Sequence, residues 1–260
     1  MTQRSLAERQ SIERNHWRQS PTEGPGSDVL TNFLQKAGDV QLLLNLLDVY
    51  RPDFERARSI VELGGGQGWA ACVVKRLFPG AHVVTTDISE DAVASAWKWE
   101  YLCQVKLDGT RACLSYELNE ADGSVDLVFC FAAAHHFGAQ RKTLREIHRV
   151  LRPGGRCLYL YEPSCRPYLH SIAHRRVNRI RAGVPEDVLM YPRMRQIAAE
   201  VGFSSQIRFY PSVANRAPVP LLYYSVLSRL PVLQGILPCT ANYEFTKPGP
   251  SGPNRPPLDL

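Results

Sequence analysis

Glu62 stands just ahead of Gly64-x-Gly66-x-Gly68 in the stretch "RSIVELGGGQGWAA" (58–71). Glycines at this spacing let a ligand reach the backbone, because no Cβ is in the way and positive φ costs nothing. The apolar run before them reads as a strand, and the residues after them as a helix. Two ligand chemistries fit such a loop. A pyrophosphate asks for G-x-G-x-x-G/A directly after the strand. Counted from Gly64, the last place falls on Trp69, too large for close helix packing. Counted from Gly66, the pattern is Gly66, Gly68 and Ala71, which fits the letters but lengthens the turn. A carboxylate so near the loop repels a pyrophosphate and suits a cationic or amine-bearing ligand. Asp87 ends the next strand, where a carboxylate can accept hydrogen bonds from both hydroxyls of a ribose. Together these residues favour an adenosyl ligand carrying an amino acid. The dinucleotide register stays open as the alternative.

His135 and His136 follow a later apolar run, "VDLVFCF" (125–131). An imidazole titrates near neutral pH and can take a proton from a hydroxyl or thiol nucleophile. A purely structural pair is the competing reading. His170 and His174 have the i, i+4 spacing of metal ligands. No cysteine or carboxylate beside them completes a set, so no metal site is expected. Arg166, Arg175, Arg176, Arg179 and Arg181 share the same segment with no acid between them. They form either a solvated face or a lid, with Arg175 and Arg179 recognising a carboxylate or phosphate on a substrate.

The elements that must position these residues alternate. Strands are expected at 58–63, 82–87, 125–131 and 156–162, with helices at 67–78, 90–103 and 139–151. Asp108-Gly109 between "VKL" and "RACLSY" reads as a hairpin turn. Strand–helix alternation means parallel β-α-β units and a doubly wound, mostly parallel Rossmann-like sheet. Residues 1–55 read as an N-terminal helical cap, 56–246 as the main domain, 166–190 as a helical insert after the fifth strand, and 247–260 as a disordered tail. A helix at 192–201 and a strand at 205–210 return to the sheet. Residues 217–239 are apolar but cut by prolines, so a cap or a final strand is expected there, not a membrane span. The 260 residues are 44% hydrophobic and 22% charged, with a net charge of +6, ordinary for a globular chain. The charge alone does not indicate nucleic acid, and no recognition module for it is present. The seven cysteines lack C-x-x-C spacing and read as reduced core thiols in a cytoplasmic protein.

Four segments carry a resemblance. "VELGGGQG" resembles the first motif of the class I S-adenosylmethionine-dependent methyltransferases, and "VVTTDIS" their acidic strand end. "DGSVDLVFCFAAAHHF" (122–137) and "REIHRVLRPGGRCLYLYEP" (145–163) resemble the fourth and fifth strand segments of their small-molecule, type 11 group. The resemblance covers about residues 56–165. It implies S-adenosylmethionine as cofactor and a small-molecule acceptor, anionic if the arginines bind it. It also implies roles. Gly64, Gly66 and Gly68 approach the methionine part, and Glu62 supports the loop or the amino group. Asp87 binds the ribose, and Ile88 packs on the adenine. Carbonyls near Cys130 and Phe131 face the amino group. Where the family usually places an acid after the third strand, this chain has Leu114 and Ser115. Ser115, Tyr116 or backbone groups then read the adenine. An NAD(P)-dependent oxidoreductase and a non-catalytic, cofactor-binding regulatory protein are the two alternatives.

Overall fold

The computed structural model describes residues 5–180, 186–214 and 216–249. Arg181 of the basic segment and residues 250–260 of the expected tail lie outside the described residues.

Three helices come first: α1 (Leu6–Gln19), α2 (Val29–Val49) and α3 (Arg51–Arg56). Ser5 and Glu8 form a reciprocal capping box that starts α1. The Asp28 side chain accepts from the Thr31 N–H and starts α2. The α/β unit follows: β1 (Ser59–Leu63), α4 (Trp69–Leu77), β2 (His82–Asp87), α5 (Glu90–Ala94), α6 (Trp97–Cys103), β3 (Gly109–Ala112), β4 (Val125–Phe131), α7 (Gln140–Val150) and β5 (Leu151–Cys165). Then come α8 (His170–Ile180), β6 (Leu189–Met190), α9 (Tyr191–Val201), β7 (Ser204–Phe209), α10 (Pro218–Arg229), α11 (Pro231–Gln234) and β8 (Cys239–Thr246).

The sheet runs β3-β2-β1-β4-β5-β8-β7, with β6 beside β5. The pairs from β3 to β5 are parallel, and β8 pairs antiparallel with both β5 and β7. β1 and β4 are neighbours from which the chain winds outward in opposite directions. In open α/β sheets that reversal leaves a crevice at the strands' carboxyl ends. Central strands are apolar on both faces because helices cover both. One core contains Val61, Val128, Leu144, Ile147 and Tyr243. The other contains Leu43, Leu46, Phe54, Ile60 and Phe129. All seven cysteines are free, and five are buried.

Three local expectations are corrected. The hairpin at Asp108-Gly109 is absent. Instead, the Asp108 carboxylate accepts from Val83 N (2.8 Å) and Lys75 Nζ (2.7 Å), which ties the segment beside β2, and β3 pairs parallel to it. The single helix at 90–103 is two, because the backbone leaves the helix at Ser95. Of the two alternatives for 217–239, the final strand is overturned: the stretch forms α10 and α11, and the last strand begins only at Cys239.

Candidate cofactor and acceptor site

The glycine loop follows β1. Gly64, Gly66 and Gly68 all have positive φ, at 63°, 57° and 71°. Glu62 turns away from the open side of the loop. Its carboxylate lies under Gly65, accepting from Thr85 Oγ1 at 2.6 Å and from the Ala71 backbone N–H. A Cβ on Gly65 would sit 2.2 Å from Glu62 Oε2, so that glycine is required by the buried carboxylate beneath it. Burial is the main reason the Glu62 carboxyl is raised to about 7, against the lowering pull of Thr85 and Ala71. Gly68 caps α4 and packs on Thr85 and Leu107.

Asp87 accepts from Gly66 N through Oδ2 and from Ser89 N through Oδ1, both at 2.9 Å. It thus joins the loop after β1 to the loop after β2. Both loops border a cavity of about 720 Å³ at the carboxyl ends of β1, β2 and β4. Gly64, Gly66, Asp87, Ile88, Ser115, Tyr116, Phe131 and His136 line it, and so the structure brings these sequence-derived candidates together. Ser115 Oγ is 2.8 Å from Thr143 Oγ1, and the Tyr116 hydroxyl accepts from Gln10 Nε2 at 3.0 Å. Phe131 stands edge-on to Trp69 and stacks on Tyr161. Ala132 and Tyr161, both on the wall, have positive φ without being glycines, a sparsely populated conformation that concentrates at functional sites.

Glu62, Gly68, Cys130 and His135 do not line the cavity; they lie behind it. Cys130 and His135 converge on Glu162, which is fully buried in the C-terminal part of β5. Glu162 Oε1 accepts from Ala133 N (2.9 Å) and Ala134 N (2.8 Å), while Oε2 accepts from His135 N (3.1 Å) and meets His135 Nδ1 at 2.8 Å. One carboxylate therefore fixes the whole turn after β4. Sequence reading missed Glu162, because nothing local marks a strand-end acid as the partner of a loop 27 or more residues away.

The cavity's roof was also missed. α1 supplies Leu6, Arg9, Gln10, Glu13, His16 and Trp17 to its wall. Glu13 Oε2 lies 3.6 Å from His136 Nδ1. From the far side Glu186 joins them, and His135, His136 and Glu186 each bring a donor atom within 4.8 Å of the others. Such a set could hold a metal ion, which was not expected of these residues. Arg175 and Arg179 do not reach the cavity. They line a separate shallow recess with Ile172 and Arg176. The cavity itself carries Glu13, Glu23, Asp39, Asp87 and Glu186 against Arg9 and Lys36, and Lys36 is bound to Glu23 at 2.6 Å.

The dinucleotide register fares poorly on this geometry. A pyrophosphate needs unclaimed N–H groups at the start of the helix. Here the Ala71 N–H is taken by Glu62 and the Gly66 N–H by Asp87.

Comparison with known proteins gives a consistent picture. Residues 61–159 match a family described as "Methyltransferase domain". The chain is 29% identical over 140 residues to a demethylmenaquinone methyltransferase of Thermus thermophilus, covering 54% of this chain and 62% of the relative. It is 31% identical over 109 residues to the Chlorobaculum tepidum enzyme of the same name, covering 42% of each. The match thus spans less than two thirds of the length of these relatives. Among solved structures, the geranyl diphosphate C-methyltransferase of Streptomyces coelicolor aligns with a TM-score of 0.67 at 12% identity, over 94% of this chain and all of that one. No helix among the described residues is long and apolar enough to cross a membrane. Motif, sheet order and relatives agree: residues 61–159 are similar to the methyltransferase domain family, and the chain shares the fold of a solved methyltransferase.

Proposed function

We propose that the chain transfers a methyl group from S-adenosylmethionine to a small, neutral or cationic acceptor held in this cavity. The observation that carries the proposal is the joining of Asp87 to Gly66 at the mouth of an acid-rich crevice. S-adenosylmethionine supplies a methyl group on a sulfonium centre that is already an activated leaving group. What remains for the protein is alignment and exclusion of water. Gly64 and Gly66 leave room for the methionine part, Asp87 takes the ribose, and Ile88 flanks the adenine with Ser115 and Tyr116. Phe131 and Ala132 offer the backbone beside the amino group. Glu62 and Gly68 support the loop, and Glu162 and His135 support the opposite wall. His136, which faces the cavity, is the residue placed to take a proton from an acceptor that must lose one. The acidic lining argues against the anionic acceptor that the arginines suggested.

The test is calorimetric titration with S-adenosylmethionine and with NAD, followed by an acceptor screen that reads S-adenosylhomocysteine release. Binding of the first and not the second is expected. Tight NAD binding would return the oxidoreductase reading, and cofactor binding without turnover on any acceptor would favour a regulatory binder. Asp87→Ala is expected to weaken cofactor binding by about 1–3 kcal/mol through loss of charge-assisted contacts. An unchanged dissociation constant in the folded variant would remove Asp87 from the site.

Binding should also depend on pH with a defined sign. Burial raises the Asp87 carboxyl to about 6, against the Ser89, Gly66 and Ile88 backbone N–H groups that lower it. Burial, helped by the Asp87 charge, raises Glu13 to about 7. A cation entering the cavity favours the charged carboxylates, lowers both values and releases protons. Affinity for S-adenosylmethionine is therefore expected to rise as pH rises through the window from 6 to 7 and to level off above it. S-adenosylhomocysteine, without the sulfonium charge, should gain less. Titrations in buffers of different ionisation enthalpy count the released protons. An affinity that falls across that window would contradict the assignment.

A further inference from the structure

The arginines that miss the cavity belong to a second surface. The turn Pro167–Leu169 and α8 set Tyr168, Ile172, Arg175, Arg176 and Arg179 at helical spacing on one face. Tyr168 is 64% and Ile172 67% exposed, while Ala173 on the other side is buried with Cys165 and Val188. α10 repeats the pattern. Val219, Leu222 and Val226 recur about one turn apart and are exposed, as is Leu230 just past the helix, while Leu227 is buried. Beyond it, Val232 of α11 is 78% exposed.

The two segments are side by side. Arg166 Nε donates to the Gly235 carbonyl at 2.6 Å, and the Tyr168 hydroxyl to the Ile236 carbonyl at 3.2 Å. The Arg176 guanidinium lies over the Tyr223 ring. Neither 166–180 nor 211–238 contains a single Asp or Glu. A patch this apolar, rimmed by arginines, is not an ordinary solvated face.

We infer that this face docks on an anionic lipid bilayer. Apolar side chains at one level with arginines beside them are the pattern of helices that lie in a membrane interface. The arginine stems reach along the apolar surface while their heads meet lipid phosphates. A second copy of the chain is a poor occupant. A two-fold contact would set the arginines of each copy against those of the other, with no acid in either segment to answer them. The face also adjoins the cavity. Arg216, just before α10, donates to the hydroxyl of wall residue Tyr161 at 2.6 Å and stacks on Tyr224 of α10. Docking would hold the cavity close to the bilayer, where an acceptor dissolved in lipid could enter. The docking itself does not depend on methyl transfer.

The experiment is co-sedimentation of the full chain with vesicles of phosphatidylcholine, alone or mixed with phosphatidylglycerol, at low and high salt. Binding to the mixed vesicles at low salt is expected, and at least about tenfold weaker binding to phosphatidylcholine alone. Leu222→Glu with Val226→Glu should weaken binding at least about tenfold, and Arg175→Glu with Arg179→Glu should do the same and flatten the salt dependence. Circular dichroism and cofactor affinity verify that both variants fold. Should the first not fold, Leu222→Ser replaces it. Failure of the wild type to sediment with anionic vesicles, or full binding by the folded variants, overturns the inference. So does a dimer in sedimentation velocity that the same substitutions dissolve.

Discussion

Gly66→Val is expected to abolish measurable cofactor binding while leaving the fold in place. Gly66 has a φ of +57°, and an L-residue forced into that region costs roughly 1–2 kcal/mol. A β-branched side chain is stiffer still at χ1. A Cβ there would also stand 2.4 Å from the Trp17 ring, so either the loop or α1 must move. α1 buries no residue of its own, so it can yield without dragging the core with it. The loop then loses its shape, the added methyl groups fill the ligand's space, and Gly66 N no longer meets Asp87 as it did. A loss of about 3 kcal/mol or more, beyond a hundredfold in affinity, follows. Calorimetry on the variant, with its melting curve beside it, decides the matter. Near-native affinity in a folded Gly66→Val protein would mean that the loop is not the contact surface.

Glu162→Ala carries the largest expected cost in stability, about 3–5 kcal/mol. The residue is fully buried, and its two oxygens serve the backbone N–H groups of Ala133, Ala134 and His135 as well as the His135 ring. Truncation strands these donors away from water, and each stranded donor is expensive. Glu162→Gln keeps one acceptor oxygen and should lose less. Urea unfolding of the two variants measures the difference. The turn after β4 also forms the cavity wall with Ala132 and Ala133, so the surviving folded protein should bind cofactor more weakly. If Glu162→Ala unfolds at the wild-type midpoint, the carboxylate is not the anchor of that turn.

Residues near each other in sequence were the legible ones. The β1–loop–α4 turn declares itself through glycines that must adopt positive φ, and the strand-end position of Asp87 follows from strand length alone. Parallel pairing follows from alternation, because a strand that returns in the same direction needs a crossover helix. Contacts set by tertiary packing were not legible. Nothing in "LAERQSIERNHW" says that its helix roofs a cavity made by residues far along the chain. Nothing around Lys98 in the sequence marks it for the interior. Yet it is buried, with its ammonium on the Gly24, Pro25 and Ser27 carbonyls, which fastens the segment before α2. The basic segment was legible as a basic helix, but not its direction, since spacing gives a face without saying what that face meets. The final strand was obscured because apolar α10 and α11 run directly up to it.

α1 closes a cavity that it does not help to fold. It is held from outside, by Arg14 to the Ile88 carbonyl, Arg18 to Asp91 and Gln10 to Tyr116. The two arginine ties are exposed, and ties of that kind are weak singly and loosen with salt. Elements with few buried contacts open far more often than the domain unfolds. On the proposed function, exchange of spent for fresh cofactor would proceed by lifting one helix while the sheet stays whole. Residence time in the cavity then depends on those three ties together with the Glu13–His136 pair at the roof.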